Sequence, residues 1–242
     1  MMAVVGAFLG ALGVGDLFRA SDDDTSMRRR LTVLVIGLLA LGLLLAAGGT
    51  TGGDWFVALP LAGGIAAWVF GSGDALSARG GAFSRVIAFT GLGLGLACAL
   101  LLGGAAPSWP SFLTGPLTQI PVDRTLLVSG VMLAQLSTAN VIVRLVLHSV
   151  GVPTAPGERK LKSGRVLGPM ERLFIIGLGM TGAFTAAAAV VAAKGLLRYP
   201  EVKADRNATV GDRPNPVSEY FLIGSFASWL VAVAGLAVVG LP

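Results

Sequence analysis

Six stretches of this 242-residue chain are apolar over the length of a membrane-crossing helix, and no other feature restricts its fold as much. A helix rises 1.5 Å per residue, so roughly 17 to 25 apolar residues cross the hydrocarbon core with their backbone groups satisfied internally. The runs cover residues 31–47, 55–70, 86–102, 126–147, 173–193 and 220–241. A seventh, 2–18, is shorter and glycine-rich. It has no basic segment before it and no clean A-x-A site after it, so it reads as a retained helix rather than a cleaved leader. If it lay in the interface, the count would be six. With 54% hydrophobic residues, 13% charged residues and a mean hydropathy of +0.80, a water-soluble domain is excluded. The expected fold is an all-α polytopic transmembrane helical bundle of seven helices, or six if the first is interfacial. Residues 1–124 hold its first four helices and 125–242 its last three.

Lys and Arg orient such a chain, because they collect on the cytoplasmic side. With Met1 outside, 12 of the 18 basic residues fall inside, including those of the loop 149–171. The other six are Arg124, Lys194, Arg198, Lys203, Arg206 and Arg213, so five basic residues crowd into one external loop against the rule. The net charge of +5 belongs to helix ends and not to a soluble basic patch, so nucleic acid is not an expected partner. The localisation this implies is a cell membrane, with the 149–171 loop cytoplasmic.

Reactive chemistry is sparse. His148 is the single histidine, which excludes an H-E-x-x-H zinc site, and Cys98 is the single cysteine, which excludes an intramolecular disulfide. The glycines of GLGLG, 91–95, lack the strand and helix start of a nucleotide loop. Gly6/Gly10, Gly91/Gly95, Gly179/Ala183, Gly182/Ala186 and Gly224/Ser228 are small pairs one turn apart, which let helices approach closely in lipid. Gln135, Ser137, Thr138 and Asn140 place polar groups in the fifth run, where bonding between helices explains them most simply. Asp22, Asp23 and Asp24 are spaced to hold a divalent cation, but TSMRRR follows them, and a solvated loop capping the next helix is the simpler reading. No Asp or Glu falls in the middle of an apolar run. No cofactor is implied.

The densest constellation follows residue 140. GRVLGPMER, 164–172, turns at Gly168-Pro169 and opens the sixth helix with Glu171-Arg172, where a carboxylate suits the helix N-terminus. Beyond that run lie Lys194, Arg198 and, opening the last helix, Glu219; an antiparallel hairpin would bring Lys194 near Glu219. Together with AAKGLLRYPE and SEYFLIGSFAS, this block resembles the carboxy-terminal block of an uncharacterised family of bacterial integral membrane proteins. The residues that carry the resemblance are Gly164, Arg165, Gly168, Glu171, Arg172, Lys194, Arg198, Glu219, Tyr220 and Gly224. Gly195 and Ser225 depart from that pattern, and of the family's amino-terminal helix only GVGDLF, 13–18, is present. The resemblance implies a shared membrane module and no named activity.

The expected function is that of a non-catalytic membrane component. It would bind lipid headgroups or a partner membrane protein, or a second copy of itself, through Arg165, Glu171, Arg172, Lys194, Arg198, Glu219 and Tyr220. The alternative is a membrane-embedded enzyme or carrier acting on a lipid-linked phosphate, with Asp22 to Asp24 as its metal ligands.

Overall fold

The computed structural model describes residues 1–19, 26–48, 56–77, 80–103, 109, 119–150, 163–208 and 216–240; at 163–166, 197–208 and 216–221 it describes the backbone alone. Among these residues the structure is entirely helical: α1 (Met2–Leu17), α2 (Met27–Ala47), α3 (Ala58–Ala75), α4 (Ala82–Leu102), α5 (Val122–Leu136), α6 (Thr138–Ser149), α7 (Ser163–Met180), α8 (Phe184–Ala208) and α9 (Pro216–Val239). Three of them, α2, α4 and α9 over Leu222–Val239, are long and apolar enough to cross a membrane, and the bent pair of α5 and α6 makes a fourth when taken as one span. The chain forms two compact units, Met1–Val141 and Ile142–Pro242.

In the first unit α1 is the enclosed element. Its residues 3–8 and 10–13 are buried, so it is a core helix of this unit. Glycine makes this possible. A Cβ on Gly6 would run into the backbone of Leu126, and one on Gly130 into the carbonyl of Gly6; one on Gly13 would come within 2.6 Å of Leu133. The contacts of 6 with 126 and 13 with 133 set α1 and α5 parallel, backbone against backbone. Gly15 meets Val33 and Gly10 meets Leu44, so α2 runs back along α1; Gly64 meets Gly91 and Gly71 meets Ala88, so α4 runs back along α3. Consecutive helices thus alternate in direction, as threading through a bilayer requires.

The fifth apolar run bends by 44° between Leu136 and Thr138. Ser137 causes the break: its hydroxyl lies 3.1 Å from the carbonyl of Leu133, four residues back, and 2.6 Å from the carbonyl of Gly13 on α1. Side-chain bonding of this kind competes with the helix ladder and bends it.

The sixth run departs furthest from expectation. Residues 173–193 are not one crossing; α7 stops at Met180 and α8 starts at Phe184. Gly182 adopts φ 76°, the left-handed conformation that only glycine takes without strain. The Ala183 amide bonds the Leu178 carbonyl at 2.9 Å and the Gly182 amide bonds that of Gly179 at 3.0 Å, the double closure of a Schellman helix stop. At its other end α7 begins eight residues before Glu171, so Gly168-Pro169 lies inside a helix instead of turning the chain. Proline is tolerated there because neighbouring helices can satisfy the carbonyl it frees.

The backbone contact of α1 with α5 yields a direct test. Gly130→Val should destabilise the detergent-solubilised protein by about 1–3 kcal/mol, the cost of overpacking, whereas Gly42→Val, with nothing within 4 Å of its Cβ, should leave the thermal midpoint unchanged.

Candidate functional site

The second unit gathers charges that lie far apart in the sequence. Lys194 Nζ donates to Glu171 Oε2 at 2.6 Å, with both side chains largely withdrawn from solvent. A continuous helix would hold residues 171 and 194 about 35 Å apart, so the bond exists only because the chain folds back at Gly182. Arg172, 2% exposed, donates from Nη1 to Ser228 Oγ on α9 at 2.9 Å. A Cβ on Gly179 would collide with Leu236, seven residues further along α7 and eight along α9. These two levels set α7 and α9 parallel, with α8 returning between them in sequence.

This geometry changes the sequence reading. Lys194 pairs with Glu171, and the side chain of Glu219 lies outside the described residues. Glu171 stands in the third turn of α7, where the macrodipole of the helix start no longer explains it. Because α7 and α9 are parallel, Glu171 and the start of α9 lie toward one end of the unit. Ser228 lies within the stretch of α9 that is apolar enough to cross a membrane, so the Glu171-Arg172-Lys194 cluster is at the level of that stretch. Local hydropathy hides this, because the apolar run 173–193 starts two residues after Glu171.

Chemically the cluster is rich in donors. It offers the ammonium of Lys194, the guanidinium of Arg172 and the hydroxyl of Ser228 around one carboxylate. One residue on, the indole Nε1 of Trp229 is buried and has no hydrogen-bond partner among the described residues. Glu171 is engaged by Lys194. Of the other candidates, the side chains of Arg165, Arg198, Glu219 and Tyr220 lie outside the described residues, as do Asp22, Asp23 and Asp24 altogether. Gly224 lies against Leu147, 3.5 Å from the position of a Cβ.

The first unit holds a second polar network, which the sequence reading passed over. Trp68 Nε1 donates to Asp16 Oδ2 at 2.9 Å, Arg19 Nε stands 3.1 Å from Asp16 Oδ1, and Arg19 Nη1 donates to Ser72 Oγ at 2.9 Å. Ser72 donates onward to the carbonyl of Trp68, and Arg30 pairs with Asp74. The side chains of Asp16 and Arg19 are 1% and 4% exposed. The network ties the end of α1 and the start of α2 to the end of α3. Its signal was available: Gly-x-Gly-Asp occurs at 13–16 and again at 71–74. In each, a carboxylate follows small residues that admit a neighbouring helix; Gly15 meets Val33, and Gly73 meets the Arg30 side chain.

No protein-family model, no curated protein and no solved structure matches the chain.

Removing one partner of a buried ion pair leaves the other charge uncompensated, at a cost of about 3–5 kcal/mol, whereas removing both together costs far less. Lys194→Met should therefore destabilise the protein, and adding Glu171→Gln should restore only part of the loss, because Glu171 also faces the buried Arg172. Additive single-variant losses in a double-mutant cycle of thermal stability would show that the two side chains do not interact.

Proposed function

We propose that this chain is a non-catalytic, multi-pass component of a cell membrane that binds an anionic lipid headgroup through its second unit. The observation that carries the reading is the donor-rich cluster of Arg172, Lys194 and Ser228. Two cationic donors, one of them a planar fork, suit phosphate oxygens. The cluster lies beside the N-terminal half of the apolar stretch of α9, where a headgroup or its ester oxygens can reach.

In this reading α1 to α4, the bent α5–α6 pair and α9 cross the membrane, the α7–α8 hairpin enters it and returns, and the basic loop ahead of α7 is cytoplasmic. The resemblance of the carboxy-terminal block to uncharacterised bacterial membrane proteins fits the same module.

Native mass spectrometry of gently extracted protein tests the assignment. Wild type should retain a stoichiometric phospholipid. The Glu171→Gln/Lys194→Met variant, which removes both partners of the ion pair, should lose most of it. Equal retention by both proteins would remove the cluster from the binding site.

A further inference from the structure

We infer that the α7–α8 hairpin returns the chain to the side on which α7 starts, and that the basic positions of the hairpin's two outer ends thereby gather at one leaflet, which is anionic. The lipid half of this inference rests on the headgroup-binding reading above; the topological half does not.

The topology follows from two bonds. Lys194 meets Glu171 across the hairpin, so α8 descends along the helix that α7 ascends. Arg172 meets Ser228, so α9 ascends again in parallel with α7, and its first residue lies twelve residues, about 18 Å, below that level. The end of α8 and the start of α9 are therefore both on the side of the α7 start. Toward that side α7 carries position Arg165 and α8 carries positions Arg198, Lys203 and Arg206, while Arg172 and Lys194 are engaged inside the unit.

This placement removes the anomaly in the charge distribution. When 173–193 is counted as a single crossing, six basic residues fall on the external side, five of them between 194 and 213. With the chain folded back at Gly182, Arg198, Lys203 and Arg206 fall on the side of the basic segment ahead of α7, and Lys194 is withdrawn into its ion pair, so the external excess disappears. Positive charge gathered within a Debye length of a bilayer is attracted to anionic headgroups, whose surface potential is negative. The occupant these basic positions imply is thus anionic phospholipid of the leaflet that α7 enters.

Two measurements in a Cys98→Ala background test the halves separately. Ser163→Cys and Asn207→Cys, treated with a membrane-impermeant maleimide in intact cells and in inverted vesicles, should react from the same face. Reaction from opposite faces would overturn the hairpin topology whatever lipid is bound. For the ligand, protein reconstituted in nanodiscs of mixed phosphatidylglycerol and phosphatidylcholine should retain phosphatidylglycerol preferentially on detergent exchange. Lys203→Gln/Arg206→Gln should weaken that preference by about fivefold for each charge removed. An unchanged preference in the variant, or a co-purifying acidic protein that displaces the lipid, would overturn the lipid assignment and leave the labelling result standing.

Discussion

The bond between Lys194 and Glu171 can form only if the apolar chain between them reverses direction, and the second unit is arranged around that reversal. In lipid no water solvates a stray charge, so an ammonium and a carboxylate drawn into the bundle must find each other or other polar partners. The stop at Gly182 makes the meeting possible, because a left-handed residue closes the end of α7 with two backbone bonds and lets α8 start within one residue of Ala183. Once α8 descends, α9 must ascend, and Arg172 then has Ser228 at its own level. The reversal, the ion pair and the parallel register of α7 and α9 are three views of one constraint.

A different device organises the first unit. There the closest contacts are between backbones, at Gly6, Gly13 and Gly130, where the absence of a side chain is itself the complementary shape. Dispersion acts over short range, so helices that lipid does not push together gain most by approaching until their backbones touch. The polar network of Asp16, Arg19, Trp68 and Ser72 closes one end of that assembly, and its carboxylate is reached by an indole N–H and a guanidinium at once. Small residues bring helices close, and a few fully engaged polar groups fix which helices meet.

Helix class and the membrane setting were legible because each is a sum over many residues: runs of twenty apolar side chains survive local exceptions. The reversal at Gly182 was not. Thr181-Gly182 is an ordinary helix stop, but it is embedded among residues as apolar as those on either side, so a window of hydropathy passes over it. Pro169 misled in the other direction, since a residue that ends helices in water lies inside α7. Ser137 was correctly read as bonding between helices, though its effect on the backbone was not foreseen. Of the site, Glu171, Arg172 and Lys194 were picked out individually, while their partners were missed, because partnership depends on a turn that composition conceals.

The most direct measurement is a spin–spin distance across the hairpin. Phe174→Cys and Ala193→Cys, both at exposed positions, carry nitroxide labels in a Cys98→Ala background. A folded-back α7–α8 pair predicts labels within about 15 Å, the reach of two neighbouring helices and their side chains. A distance near 30 Å, the length of nineteen residues of unbroken helix at about 1.5 Å each, would contradict the reversal and with it the architecture of the second unit.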